Sequence, residues 1–138
     1  MWLPFFRKRN TVKYPVRGHL GDAGADVILD KDVDIVPGKN IIDLGFSCPP
    51  PMGCACFITL RSSWMAEGLI SNFVPIDSNY SGTYHYLIYN TTGNTIHVKA
   101  GERLCQLVFL NVLYPEFMDP EEYNKNIRRE GGIGSTGK

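Results

Sequence analysis

The last residues of this 138-residue chain have the composition of a phosphate-binding segment. Gly132–Lys138 has the spacing G-x-x-x-x-G-K, which is most of a phosphate-binding loop. Glycines let backbone N–H groups approach anionic oxygens, Ser135 and Thr136 supply hydroxyl donors, and Arg128 can donate two hydrogen bonds to one phosphate. No Ser or Thr follows Lys138, so we do not expect a P-loop nucleotide triphosphatase. A frayed terminus would have the same composition, because ordering glycines costs backbone entropy.

A second group is Arg61-Ser62-Ser63, at the predicted junction of a strand and a helix. One guanidinium, two hydroxyls and the N–H groups of a helix N-terminus would together form a compact anion site. An ordinary serine cap beside a surface arginine would have the same sequence. The residues alone leave both interpretations open.

A third group lies in Val74–Gly82, between two predicted strands. Here Asp77 could orient a water molecule for attack, and Tyr80 could pack against a sugar or a base. The alternative is a plain hairpin turn capped by Asp77, because Asp-Ser-Asn and Ser-Gly favour turns. Both interpretations again remain open.

Charge and hydropathy exclude several classes of partner. Lys plus Arg and Asp plus Glu number 14 each, so the formal net charge is zero and no overall field favours nucleic acid or an anionic membrane. Apolar residues precede Arg7-Lys8-Arg9, the reverse of a secretory signal, and no apolar run approaches the length of a membrane span. We therefore expect a soluble cytoplasmic protein. The cysteines lack the close pairs of a zinc site, and we expect free thiols at Cys48, Cys54, Cys56 and Cys105.

The elements that must position these groups are short strands. Fourteen glycines and nine prolines separate segments rich in β-branched and aromatic residues. The predicted strands are Val33–Pro37, Asn40–Phe46, Cys54–Leu60, Asn72–Asp77, Thr83–Asn90, Thr95–Lys99 and Leu104–Leu113. One short helix is predicted at Ser62–Glu67, capped by Ser62 or Ser63 and ended by Gly68. The predicted fold is all-β, a barrel or jelly roll of residues 1–127 followed by a flexible glycine-rich tail of residues 128–138.

Taken in order, five segments resemble the five motifs of the trimeric dUTPase family. They are Ala23–Val27, Arg61–Ser63, Ile76–Gly82, Gly101–Leu107 and Arg128–Gly137. Each is weak alone, but all five occur in the family's order and at close to its spacing, from about residue 20 onward. The resemblance favours the functional interpretation of every segment left open above.

The resemblance implies a homotrimeric β jelly roll whose active sites are each built from three subunits. Such an enzyme cleaves dUTP to dUMP and pyrophosphate with Mg²⁺, which supplies dUMP for thymidylate synthesis and keeps uracil out of DNA. By the same resemblance, Asp77 positions the water that attacks the α-phosphorus, and Tyr80 lies beneath the deoxyribose and excludes a 2′-hydroxyl. Backbone groups from Asn72 to Ile76 would recognise uracil. Asp26 would support the hydrated magnesium ion.

The remaining implied contacts are to the phosphates and, through the tail, to the bound nucleotide. They involve Arg61, Ser62, Ser63 and Gln106, together with Arg128, Ile133, Gly134, Ser135 and Thr136 in the tail. The sequence departs from the family at four places: Ala25 and Ile133 replace aromatic residues, Asn79 replaces an acidic residue, and Val74-Pro75 replaces a glycine followed by a small apolar residue. Ile133 lacks the flat face that would stack on uracil.

Two rival functions fit parts of the same pattern. The related dCTP deaminases share the fold and an Arg-Ser-Ser segment, but they need a catalytic glutamate where this chain has Leu87. A deaminase is therefore disfavoured, because leucine cannot transfer a proton. The second rival is a regulatory protein in which nucleotide binding drives partner exchange. Asp77, Tyr80 and the complete tail favour catalysis, and they do not exclude an added role.

Overall fold

Strands dominate the computed structural model, which describes residues 1–126. The strands are β1 (Phe6–Arg7), β2 (Gly24–Ile28), β3 (Val33–Ile35), β4 (Gly38–Asp43), β5 (Phe46–Ser47), β6 (Cys54–Leu60), β7 (Leu69–Ser71), β8 (Val74–Ile76), β9 (His85–Asn90), β10 (Ile96–Val98) and β11 (Arg103–Asn111). Two short helices accompany them, α1 (Ser62–Ala66) and α2 (Pro120–Asn126). The predicted all-β class is confirmed.

The strands form four sheets in the described part of the chain, and they do not close into one barrel. The largest has the order β2-β11-β6-β8, the next has the order β4-β9-β7, and the pairs β1-β5 and β10-β3 complete the set. Side chains of both large sheets enter one core, with Ile58 and Leu107 from the first and Tyr86 and Ile88 from the second. Alternate residues of β9 are buried, as expected for a strand covered on one face.

Several predicted strands agree with the structure, and one is longer than the strand observed. Cys54–Leu60 is confirmed at both ends. Of the predicted strand Asn72–Asp77, only Val74–Ile76 is a strand, β8, and it pairs with β6 while the preceding β7 pairs with β9. Asn72 and Phe73 instead join two sheets, and the Phe73 ring stacks on Phe57 with ring centroids 4.4 Å apart. Strands β1, β2 and β7 and helix α2 were not predicted.

The segment between β8 and β9 is a corner between sheets and not a hairpin. Its flanking strands belong to different sheets, since β9 pairs with β4 and β7. Asn79 turns the chain with a φ of 65°, in the left-handed region that asparagine tolerates better than most residues. The Asn79 N–H donates to the Pro50 carbonyl at 3.0 Å, which attaches the corner to the loop before β6.

Helix α1 begins at Ser62, which is one of the two serines predicted to cap it. Arg61 occupies the N-cap position with extended backbone (φ −71°, ψ 142°), and no side chain caps the helix. Ser62 and Ser63 therefore lie inside the first turn, so the prediction that one of them caps the helix is wrong. Gly68 follows the helix with a φ of +103°, a conformation that glycine adopts without a steric cost.

Candidate active site

A polar cavity of about 300 Å³ lies where β2, the start of α1 and β11 meet. We call it the arginine cavity, and its lining residues are Asp22, Ala23, Gly24, Asp26, Arg61, Ser62 and Gln106. Four residues predicted from separate sequence segments, Asp26, Arg61, Ser62 and Gln106, thus meet at one place. The pairing of β11 with both β2 and β6 brings them together.

Asp26 is the electrostatic centre of the arginine cavity. Its side chain is buried, and its two carboxylate oxygens each face a guanidinium. Arg61 Nε lies 3.4 Å from Oδ1, and Arg103 Nη1 lies 3.2 Å from Oδ2. A buried carboxylate needs such partners, and the partly exposed arginines keep donors available for an incoming anion.

Arg103 was not predicted as a site residue, and a bulge explains why. Simple alternation would place Arg103 and Gln106, three residues apart, on opposite faces of β11. The register shifts between Arg103 and Cys105, so Arg103 pairs with Ile28 and turns toward Asp26. The Trp64 indole N–H donates to the Arg103 carbonyl at 2.9 Å and attaches α1 to this bulge.

Gly24 gives the Gln106 side chain its place in the cavity. A Cβ at Gly24 would collide with the Gln106 carboxamide, whose oxygen and carbon lie directly over the Gly24 backbone. Gly24, in the first of the five motif segments, therefore leaves room for the side chain of Gln106, in the fourth. This contact could not be predicted from the sequence, because the two residues are far apart in the chain.

The oxygen groups of the arginine cavity fit a hydrated magnesium ion better than a directly coordinated one. Within residues 1–126 no three His, Cys, Asp or Glu side chains cluster as metal ligands. Asp22, Asp26 and Gln106 nevertheless supply oxygen atoms to one cavity. Magnesium prefers oxygen ligands, keeps several waters, and is usually bound by few carboxylates together with substrate phosphates.

A second cavity, of about 290 Å³, is lined mainly by aromatic and aliphatic groups. We call it the aromatic cavity, and its lining residues are Ile58, Ser71, Asn72, Val74, Ile76, Tyr80, Tyr84, His85, Tyr86 and Leu87. The predicted residues Asn72, Ile76 and Tyr80 meet here. Burial raises the pKa of both Tyr84 and Tyr86, so these phenols stay protonated and the cavity wall stays uncharged there.

Asp77 lies apart from both cavities. It is exposed and lines a third cavity of about 700 Å³, with Met52, Phe57, Pro75 and Tyr114 among its neighbours. Strand alternation accounts for this placement, because Val74 and Ile76 face the aromatic cavity while Pro75 and Asp77 face the opposite side. The structure links Asp77 to Tyr80 through the backbone, where the Tyr80 N–H donates to the Asp77 carbonyl at 3.2 Å.

The other predicted site residues divide into two groups. Ser63 is exposed and lines neither the arginine cavity nor the aromatic cavity. The tail residues Arg128, Ile133, Gly134, Ser135 and Thr136 lie outside the described residues. In residues 1–126, no helix is long and apolar enough to span a membrane.

Comparisons with known proteins agree on one family. A family model described as dUTPase matches residues 10–137. Deoxyuridine 5'-triphosphate nucleotidohydrolase of Cutibacterium acnes is 38% identical over 122 residues, which cover 85% of this chain and 80% of that protein. The protein of the same name from Monkeypox virus is 31% identical over 134 residues, covering 96% of this chain and 89% of that protein. Staphylococcus bacteriophage 80alpha dUTPase, solved with dUPNHPP, has a similar fold, with a TM-score of 0.80 at 24% identity over 99% of both chains.

Proposed function

As this chain belongs to the dUTPase family, we propose that it hydrolyses dUTP to dUMP and pyrophosphate. The observation that supports this most strongly is the meeting of Asp26, Arg61, Ser62 and Gln106 in the arginine cavity. Such a set can bind a triphosphate, because it combines a fixed guanidinium with hydroxyl and amide donors. The aromatic cavity would receive the nucleoside.

The arginine cavity would act by positioning and by neutralising charge. Phosphoryl transfer asks for little covalent help from a protein, so donors aimed at the phosphate oxygens supply most of the catalysis. Asp26 fixes the direction of Arg61 through their ion pair, while Ser62 and Gln106 complete the ring of donors. When bound, magnesium would neutralise charge on the phosphates. Asp26 and Gln106 would face its water shell.

Asp77 would orient the attacking water toward the α-phosphorus. A carboxylate suits this task because it accepts a hydrogen bond from the water and can take its proton. Within one chain Asp77 lines neither the arginine cavity nor the aromatic cavity. We therefore propose that the active site is completed between chains of a homotrimer, with Asp77 and the arginine cavity contributed by different subunits.

The tail would close over the nucleotide. Arg128, Ser135, Thr136 and the backbone N–H groups near Gly134 supply donors for the terminal phosphate, and Ile133 supplies apolar cover for the base. Closure would exclude water other than the attacking one and strengthen each charged contact. The product dUMP would then feed thymidylate synthesis, and removal of dUTP would keep uracil out of DNA.

The rival deaminase reaction has no support in the aromatic cavity. Leu87 occupies the position where a proton-transferring glutamate is needed, and it lines this cavity together with apolar and aromatic groups. The lining residues of this cavity include no Asp or Glu. Leucine cannot give a proton to a base or take one from it, so hydrolysis at phosphorus is the better assignment.

Pyrophosphate release tests the proposed function. The purified protein would be given dUTP, dTTP, dCTP or UTP, each with and without magnesium, and pyrophosphate and ammonia would both be measured. We expect magnesium-dependent pyrophosphate from dUTP far above that from the other three nucleotides. Ammonia from dCTP, or equal turnover of all four nucleotides, would contradict the proposal.

A further inference from the structure

Four aromatic rings form a row from the N-terminal segment to the aromatic cavity. Phe5 stacks on Phe46 with ring centroids 4.9 Å apart, and Phe46 lies 5.5 Å from Tyr84. Tyr84 in turn lies 6.4 Å from Tyr80, with only 18° between the two ring planes. Tyr84 is therefore the aromatic neighbour of Tyr80, within the distance at which aromatic pairs interact.

Tyr84 is itself firmly fixed. It is 1% exposed, its N–H donates to the Phe46 carbonyl at 2.8 Å, and its carbonyl accepts from the Leu44 N–H at 2.9 Å. The hydroxyl group is buried beside Cys48 and has no well-formed hydrogen bond within residues 1–126. Packed on the Phe46 ring and bonded on both sides of its backbone, Tyr84 has little freedom to move.

Tyr80 has much less support of its own. It is half exposed and follows Asn79, the one described non-glycine residue with a positive φ. Its hydroxyl end lies over the bare Cα of Gly82, where a Cβ would come within 2.5 Å of the hydroxyl oxygen. The position of the Tyr80 ring is thus set by the neighbouring Tyr84 ring and by Gly82 at its hydroxyl end. Both tyrosines line the aromatic cavity, so a ligand there would meet the Tyr80 ring beside Tyr84.

We infer that Tyr84 is a positioning residue for Tyr80 and so helps to select deoxyribose over ribose. The inference rests on the proposed function, in which Tyr80 lies beneath the sugar. Discrimination against a 2′-hydroxyl by size requires a ring that cannot move away, and Tyr84 is the fixed ring next to Tyr80. A smaller residue at position 84 would let Tyr80 move away and open room for UTP. The phosphate groups bind elsewhere, so the dUTP turnover number should change little.

The test compares the specificity for dUTP with that for UTP, as a ratio of kcat/KM values. In Tyr84→Leu we expect this ratio to fall by roughly tenfold, the low end of the effect that a change of one methylene in a hydrophobic pocket has on specificity. The loss should arise from a raised KM for dUTP and improved use of UTP. Tyr84→Phe, which keeps the ring, should keep the ratio. Ile35→Ala is the control, since it truncates an equally buried side chain that lies in the β3-β10 pair and does not line the aromatic cavity.

Gly82→Ala tests the same idea without touching the core. Its added Cβ would displace the hydroxyl end of Tyr80, so the specificity ratio of dUTP to UTP should fall as in Tyr84→Leu. This second variant keeps the inference testable if Tyr84→Leu does not fold. Gly93→Ala is its control, because nothing lies within 4 Å of a Cβ there and the backbone suits any residue. An unchanged ratio in Gly82→Ala, or an equal fall in Ile35→Ala and Tyr84→Leu, would overturn the inference. If the wild-type protein releases no pyrophosphate from dUTP, the proposed function itself fails, which is a separate outcome.

Discussion

Asp77 is the residue on which the proposed chemistry depends most. Asp77→Asn should fold and still bind dUTP, because the side chain is exposed and makes no ion pair within the described residues. It should lose at least about a hundredfold in kcat, the usual contribution of a positioned base. Asp119→Asn is the matched control, an exposed carboxylate outside all three cavities. Near-normal turnover in Asp77→Asn would move the catalytic role to another residue.

At the residue scale, the sequence identified most of the arginine cavity but not its internal contacts. Asp26, Arg61, Ser62 and Gln106 were predicted because each stands in a motif, and the structure brings them together. The Arg103 contact with Asp26 depends on a bulge, and alternation along a strand cannot reveal a bulge in advance. Tyr84 was not predicted as a site residue for another reason. In the sequence it is one more apolar residue of a predicted strand, and only the fold brings its ring next to Tyr80.

Among the elements, the N-terminal segment is attached through a partly buried ion pair between Arg9 and Asp30. Arg9 donates to Asp30 from Nε at 2.7 Å and from Nη2 at 2.9 Å, and the Thr11 hydroxyl adds a third bond. The bond from Arg9 has the largest effect, and together these bonds lower the pKa of Asp30 from 3.8 to about 2. Because the folded pKa lies below the unfolded one, this stabilisation is complete above about pH 4 and is lost as pH falls through about 2.

Urea unfolding of Asp30→Asn checks this pH dependence. At pH 7 the variant should lose about 1.5–3 kcal/mol in the free energy of unfolding, the usual range for hydrogen bonds to a charged group. The difference from wild type should shrink as the pH falls from about 4 toward 2. Asp34→Asn serves as the control, since its ion pair with His97 is exposed on both sides and should contribute little. A difference that stays constant down to the lowest pH would contradict the account.

Some strands were predicted with correct ends and others were missed or predicted too long, and each outcome has a physical reason. Cys54–Leu60 is a central strand with partners on both sides, so its apolar residues span the whole strand. Strand β2 was missed because Gly24 and Asp26 interrupt the apolar pattern, and both are there for the arginine cavity. The switch of sheets between β7 and β8, which shortens the predicted strand Asn72–Asp77 to Val74–Ile76, follows from tertiary pairing, which a local pattern does not contain.

The tail affects the molecule as a whole. Deleting residues 128–138 should leave the oligomer intact, because so glycine-rich a segment adds little to a hydrophobic core. Activity on dUTP should collapse, since Arg128, Ser135 and Thr136 are the proposed donors to the terminal phosphate. Sedimentation and steady-state kinetics of the truncated chain would measure both effects. Loss of the trimer in sedimentation would show that the tail is part of the subunit interface and not only a cover for the site.

The central claim for the whole molecule is that one active site takes Asp77 and the arginine cavity from different subunits. Mixing two inactive variants, Asp77→Asn and Arg61→Met, tests it most directly. After denaturation and joint refolding, mixed trimers are isolated through two affinity tags, and each of them has one shared site with both an intact Asp77 and an intact Arg61. The isolated mixed trimers should therefore have about a third of wild-type activity, whereas each variant alone stays inactive. If verified mixed trimers remain as inactive as the parents, Asp77 and Arg61 act within one subunit and the account of the site is wrong.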